Sequence, residues 1–217
     1  TVQMNEAIIV GLISAGSGFL GVIVGTVLPW FRERWINTGK ARYLAIRVVC
    51  ILDEFLEQCA AVVGDDGMCC GQRNAEGYLE AQVALPTGLP LPDDVDWRSI
   101  NHGLMYRILV LPSRIEADNR VIAGVGEHSF PPDYEEVFEE RQYRYACLGL
   151  EAVALGRKLR QTYGIPSQEF GDWDPIKTLE DEKARIEELR KERWSRPSII
   201  DQITTAATTD QSEPTNI

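Results

Sequence analysis

The stretch Gly11–Trp35, "GLISAGSGFLGVIVGTVLPWFRERW", contains Gly16-Ser17-Gly18-Phe19-Leu20-Gly21, a literal G-x-G-x-x-G. It has two competing readings. A dinucleotide-binding loop needs a strand before it, an amphipathic helix after it, and an acidic residue about twenty positions on. "AIIV" (Ala7 to Val10) can supply the strand, but the twenty-five residues from Ala7 to Phe31 carry no charge, and no Asp or Glu lies between Glu6 and Glu33. A helix without a polar face does not suit the surface of a nucleotide-binding sheet. As a membrane helix the stretch meets no such objection. Twenty-five residues rising about 1.5 Å each reach about 37 Å, enough to cross a ~30 Å hydrocarbon core with some tilt. Thirteen of them are Leu, Ile, Val or Phe. At roughly −0.3 to −0.6 kcal/mol apiece these favour insertion by on the order of −5 kcal/mol, partly offset by the glycines and hydroxyls. Trp30 and Trp35 bracket the end of the run, at the depth where amphipathic rings prefer the headgroups. The reading is a transmembrane helix over residues 7–31, not a nucleotide loop.

The glycines then need another role. Gly11, Ser14, Gly18, Gly21 and Gly25 recur at alternating steps of three and four and share one helical stripe. Ser17, Gly21 and Gly25 form a small-xxx-small series. Helices in lipid gain little from apolar burial, so close backbone approach over small residues is what lets them pack. Self-association into a homo-oligomer through this face is expected, against the alternative that glycine is merely frequent in such spans.

Orientation follows from charge. Six residues precede the span with one acid, Glu6; after it come Arg32, Arg34, Lys40, Arg42 and Arg47 against Glu33 alone. Positive charge stays inside, so residues 1–6 are expected to be translocated and the C-terminal body to be cytoplasmic. Trp30, Arg32, Arg34 and Trp35 are the interface anchors. A cleaved signal peptide is not expected: no basic residue precedes the run, and no small-x-small site ends it. The net charge of −11 argues against a nucleic-acid partner. The basic cluster reads instead as a topology signal that touches anionic lipid.

Five cysteines (Cys50, Cys59, Cys69, Cys70, Cys147) make an odd count, suited to a reducing compartment. Cys69 and Cys70 are adjacent in "GMCCGQ". Without a second Cys or His pair at motif spacing they read as ordinary loop thiols rather than a metal or redox centre.

The remaining chain is patterned for helices, and the expected class is all-α: a three- to four-helix bundle over residues 32–173 with a long Pro/Gly-rich loop. The first helix runs from Lys40 to Val63 on a stripe of Leu44, Val48, Ile51, Phe55, Cys59 and Val62. Asp65 to Asp96 is irregular, with Pro86, Pro90 and Pro92. A loop of this length is usually functional or unstructured. Within it Asp93, Asp94 and Asp96 suit either a cation or helix capping. The second helix spans His102 to Val125 on Leu104, Ile108, Leu111, Ile115, Val121 and Ile122, with Pro112 expected to kink or divide it. The third starts near Pro132-Asp133 and passes through Val137, Tyr145, Leu148, Ala152 and Leu155 to Tyr163, where Gly164-Ile165-Pro166 stops it.

Asp174-Pro175 opens a charged fourth helix over residues 174–196. Its expected pairs include Asp181–Arg185 and Glu187–Lys191, and its apolar seam is thin: Ile176, Leu179, Ile186 and Leu189. That seam suits a short coiled-coil contact with a partner, or a peripheral helix lying on its own bundle. Residues 197–217 read as a disordered tail.

No hydrolase, zincin, Walker or kinase motif is present. His102 and His128 read as solvated, and Glu151 has no partner at a motif spacing. Neither a catalytic residue, a cofactor nor a metal is expected, and an enzyme is unsupported. At "LPDDVDWRSINHGLMYRILVLPSRIEADN" the chain resembles uncharacterised single-span membrane proteins of bacteria with a cytoplasmic helical domain. The likeness rests on a proline-rich approach, a D-x-D-W element and a helix interrupted by Leu-Pro, over about half the chain. It implies no known activity, so no residue role is carried over; the location expected from the span and its flanking charges is the inner (plasma) membrane.

The functional expectation is a membrane-anchored helical scaffold or adaptor, self-associating through its span and offering the acidic loop and charged helix to a cytoplasmic protein. Two alternatives stand beside it. One is a membrane-tethered enzyme or ligand sensor with a pocket under the 65–96 loop. The other is a phage-type envelope or lysis protein whose body would be outside the cell.

Overall fold

The computed structural model describes residues 38–129, 134–171 and 173–195. The expected span 7–31, its stripe (Gly11, Ser14, Gly18, Gly21, Gly25), its anchors (Trp30, Arg32, Arg34, Trp35) and the tail 197–217 lie outside the described residues. Among the described residues no helix is long and apolar enough to cross a membrane. Their regular structure is helical, with no strand and a single isolated bridge between Cys69 and Gln72.

The first helix, α1, occupies residues 38–63. Its buried set is wider than the expected stripe. Ala41, Leu44, Ala45, Val48, Val49, Leu52, Phe55, Leu56, Cys59, Ala60, Val62 and Val63 form two adjacent rows, so the helix packs on more than one neighbour. Ile51 is only half-buried, at the edge of these rows. Residues 64–96 contain no helix or strand, as their Pro/Gly content implied. A one-turn 3-10 segment, Trp97–Ser99, closes the loop, capped by Asp96, whose Oδ1 accepts from the Arg98 amide at 3.1 Å.

α2 is His102–His128. Asn101 caps it, its Oδ1 accepting from Gly103 N at 2.9 Å and Leu104 N at 3.2 Å. It runs as one helix past Pro112, so the division that was one of the two expected outcomes does not occur. The ring removes one backbone hydrogen bond, but Ile108, Leu111 and Ile115 are fully buried on both sides of it and hold the helix by packing. Val121 also departs from its expected place and is 41% exposed. It lies six residues from Ile115, off the three-and-four series that continues to Ile122.

α3 is Glu135–Tyr163. Pro132 and Asp133, the expected start, lie outside the described residues. The first bonds are to Tyr134 O, from Val137 N at 3.0 Å and Phe138 N at 3.2 Å. Phe138 is buried where Val137 was expected, because the stripe leads from 138 through 141, 142 and 145 to 148. At the far end Gly164 takes φ +63°, a left-handed conformation that suits glycine and ends the helix.

α4 is Pro175–Ser195, capped by Asp174, whose Oδ1 accepts from Ile176 N at 2.9 Å. Leu179 and Ile186 are fully buried, while Leu189 is 37% exposed. The expected side-chain pairs are replaced by others. Arg185 takes Glu182 in a two-pronged bond of 2.8 and 2.5 Å, a match for its planar fork, Lys183 pairs with Glu187 at 3.4 Å and Lys191 with Glu188 at 3.5 Å.

The described chain divides into two units. The first takes residues 38–51, Pro90–Val110 and Leu155–Ser167. Leu44, Val48, Ile100, Leu104, Ile108, Leu155 and Leu159 are among its buried apolar side chains. Arg47–Asp94 at 2.7 Å and the Tyr163 hydroxyl, accepting from Asn101 N at 3.1 Å, tie its edges. The second unit takes Leu52–Leu89, Leu111–Ala154 and residues 168–195. Here α4 lies on the chain's own helices. A Cβ placed on Gly149 of α3 would sit 2.5 Å from Leu179 Cδ1 and 3.0 Å from Cys59 Cβ, so glycine is what lets α1, α3 and α4 meet at that point. The apolar seam that a coiled-coil partner would have used is half consumed by this contact.

Candidate functional site

The largest buried concentration of polar groups in the second unit lies where the 65–96 loop meets α3. It begins with the end of α1. Gly64 N still donates to Ala60 O at 2.9 Å, which delivers the next residue, Asp65, inward. The Asp65 side chain is 1% exposed. Its Oδ1 accepts from Gly67 N at 3.0 Å; its Oδ2 accepts from Gln82 N at 3.0 Å, Val83 N at 2.9 Å and Arg141 Nη2 at 2.8 Å. Three donors converge on Oδ2 and one on Oδ1, so the carboxylate is spent chiefly on holding the loop backbone and Arg141.

Arg141 arrives from the buried face of α3, with its side chain 6% exposed. Besides Asp65 it donates to Val83 O, and its guanidinium lies 5.7 Å from the centroid of the Phe138 ring. Burial lowers its pKa from the ordinary value, and the Asp65 charge opposes that shift. Among the described residues its Nε has no hydrogen-bond partner. Gln142 adds a further tie, donating from Nε2 to Asp65 O at 3.1 Å. Gly67 holds φ +76°, and a Cβ there would lie 2.4 Å from the Phe138 ring, so the turn fits against α3 only as glycine.

A second tie fastens the same loop three residues further on. Tyr145 Oη donates to Asn119 Oδ1 at 2.8 Å and lies 3.2 Å from Pro86 O, while Asn119 Nδ2 donates to Pro86 O at 2.9 Å. Burial pushes the Tyr145 phenol well above its ordinary pKa, so it stays a protonated donor. The loop is thus held at Asp65, Val83 and Pro86 by side chains of α2 and α3.

Outside this centre an ionic seam joins α4 to α3 and α3 to α2. Arg190 reaches Glu139 at 3.0 Å and Glu140 at 2.6 Å and lies 4.3 Å over the Tyr143 ring; Arg193 also pairs with Glu139. Arg144 bridges Glu140 and Asp118, each at 2.6 Å. Burial tends to raise the Glu140 pKa, but Arg144 and Arg190 outweigh it and hold that carboxyl below its ordinary value.

The residues singled out from sequence fall as follows. Asp94 is engaged by Arg47, Asp96 caps the 3-10 turn and Asp93 is exposed, so the three do not converge on a cation site. Among the described residues no group of three or more metal-ligating side chains comes together. Cys69 and Cys70 are exposed in a tight hairpin turn in which Cys70 takes φ 53°. Cys50 is exposed and Cys59 buried, where desolvation raises its thiol pKa far above the ordinary value. All five cysteines are free. His102 and His128 are exposed, the latter with Nδ1 2.8 Å from Gly124 O. Glu151, which has no partner at a motif spacing, pairs with Arg114 of α2, thirty-seven residues away.

A surface groove of about 530 Å³ is lined by Val121, Gly124, Val125, His128, Ser129 and Glu136. It draws nothing from the 65–96 loop. Arg141 and Asn119 were missed from sequence, although Arg141-Gln142 interrupts an otherwise apolar stripe on α3. A charged residue at a core register is the signal that would have found it. Comparison with protein-family models, curated proteins and solved structures finds no match to this chain.

Proposed function

We propose that this chain is a single-span membrane scaffold or adaptor, anchored by residues 7–31 with its helical body on the cytoplasmic side, and self-associating through Gly11, Ser14, Gly18, Gly21 and Gly25. The observation that carries the reading is the uncharged run of twenty-five residues followed by Arg32, Arg34, Lys40, Arg42 and Arg47. Transfer into lipid is favourable, and the cations hold the following chain on the inner side. The use made of polar groups in the body supports an adaptor over a catalyst. Asp65, Arg141, Asn119 and Tyr145 are all engaged in holding the chain's own loop, with the Asp65 carboxylate buried. That disposition also weighs against an enzyme or sensor with its pocket under the loop. Exposed apolar side chains remain for a partner: Tyr43, Ile46, Tyr106 and Leu109 in the first unit, Trp173, Leu189 and Trp194 in the second.

The test is fractionation of membranes under alkaline carbonate, with an impermeant maleimide applied to intact cells. Cys69 and Cys70 are exposed and report the side on which the body lies. The proposal expects retention in the pellet and labelling only after permeabilisation. Release into the supernatant removes the anchor, and labelling of intact cells places the body outside, as an envelope protein would require. Gly21→Ile with Gly25→Ile is expected to reduce crosslinked oligomers in membranes; unchanged oligomers refute association through that face.

A further inference from the structure

We infer that the first unit has a lipid-facing end, where clustered cations and the apolar side chains among them rest on the anionic headgroups of a bilayer. This goes beyond the anchored reading above: it draws on described residues from 38 onward and needs none of the span.

Charge is divided between the two units. The described residues of the first hold eight Lys or Arg against three Asp, while those of the second hold eleven Lys or Arg against twenty-three Asp or Glu. The net charge of −11 for the whole chain therefore hides a unit of opposite sign. Of the three acids, Asp94 is spent on Arg47 at 2.7 Å and Asp96 on capping the 3-10 turn. Lys40, Arg42, Arg98, Arg107, Arg157 and Lys158 are exposed.

Two bonds place these cations at one end of the unit. Arg42 Nη2 donates to Gly164 O at 3.4 Å, which joins the start of α1 to the end of α3. Asn101 N donates to Tyr163 Oη at 3.1 Å, which joins the start of α2 to the same place. Arg107 follows Asn101 by six residues and Arg157 precedes Gly164 by seven. At about 1.5 Å per residue, each lies within about 10 Å of that end along its helix. Helical side chains lean toward the N-terminus, which carries Lys40 and Arg107 closer still. Charges at physiological salt act over about 8 Å, so an approaching surface feels this end rather than the total charge.

The apolar side chains at this end select lipid among polyanions. Tyr43, Ile46, Tyr106 and Leu109 are 58, 41, 67 and 44% exposed, and each stands within eight residues of Arg42 or Asn101 on its own helix. Aliphatic groups have nothing to bond on a phosphate backbone. They gain instead by entering the boundary between headgroups and acyl chains, and tyrosine rings suit the headgroup level. The partner of these four side chains is thereby a lipid surface. Each cation held near an anionic leaflet strengthens the contact about fivefold.

The experiment reconstitutes the full chain in vesicles of phosphatidylcholine, alone or with about 30% phosphatidylglycerol to give the surface a negative potential. A fluorophore on Gln161→Cys, with Cys50, Cys69, Cys70 and Cys147 replaced by Ser, reports the approach of a nitroxide quencher carried on lipid headgroups; Gln161 is exposed near the end of α3. Quenching is expected to rise at least about threefold with the anionic lipid, and to fall back in about 1 M salt, where the screening length is about 3 Å. Arg157→Glu with Lys158→Glu should lower the ratio of docked to undocked chains at least about tenfold. Arg157→Lys with Lys158→Arg keeps both charges and should retain it. Equal quenching in the two lipids, or quenching indifferent to the charge reversal, overturns the inference and leaves the anchor standing if the chain resists carbonate. A chain that carbonate releases, but that binds anionic vesicles in a salt-dependent way, overturns the anchor alone; a released chain without such binding overturns both. Tighter charge-dependent binding of an oligonucleotide than of the anionic vesicles assigns the surface to nucleic acid and overturns the lipid inference.

Discussion

Removing Asp65 should harm this protein more than removing the arginine it pairs with. Asp65→Ala takes away the acceptor for Gly67, Gln82 and Val83 amides and leaves the Arg141 cation buried with only Val83 O among its described acceptors. Breaking a buried pair from one side costs about 3–5 kcal/mol. Against a typical total of about 5–15 kcal/mol this is a large fraction. Arg141→Met leaves the carboxylate with its three backbone donors and an apolar side chain of similar length beside Phe138, so about 1–3 kcal/mol is expected. The double substitution should cost less than the sum by about 1–3 kcal/mol, because the second change removes a charge that the first had orphaned. Hydrogen exchange at the Gln82 and Val83 amides of the full chain in mild detergent reads this locally. At about 1.4 kcal/mol per decade, Asp65→Ala should lower protection by two decades or more. If Arg141→Met proves the costlier change, or the two costs simply add, Asp65 is not the organising group of the loop.

Three further outcomes follow from other contacts. Gly149→Ala forces a methyl into Leu179 and Cys59 and should cost about 1–3 kcal/mol by urea unfolding; pairing it with Leu179→Ala should recover part of that loss, and strict additivity would refute the close approach. Tyr145→Phe should cost about 1 kcal/mol and raise exchange near Pro86, since it deletes the hydroxyl that joins Asn119 to the loop; an unaltered exchange pattern counts against that tie. Glu140 has a folded pKa below its ordinary 4.5. Its contribution is therefore complete above that value and is lost as pH falls through the lower folded value, with the unfolded chain taking the proton first. Acid should thus loosen α4 below pH 4.5, and Glu140→Gln should flatten that part of the stability profile; an identical acid profile in the variant refutes the role of the seam.

What could be read from sequence was governed by locality. Asp174-Pro175 and Gly164-Ile165-Pro166 act within one turn, and both mark helix ends where expected. The stripe of α1 was legible because its partners need only be apolar, but its full width depended on how many neighbours it meets. That α2 is not divided at Pro112 was not legible, because a local penalty says nothing of the buried Ile108, Leu111 and Ile115 that offset it. Position-specific ion pairs failed for a related reason: Glu140 and Arg190 are fifty residues apart and satisfy each other through the docking of α4, which no local rule contains.

The loop carries the same lesson into function. From composition, residues 65–96 were either a site or a disordered segment, because neither prolines nor glycines state what a backbone is tied to. Asp65 and Arg141, seventy-six residues apart, show a loop without regular structure that is nonetheless fastened. A buried carboxylate that accepts from three backbone amides and a guanidinium is an anchor for backbone. In the second unit the polar interior is committed to the chain's own loop: Asp65, Arg141, Gln142, Asn119 and Tyr145 all bond to it or to one another.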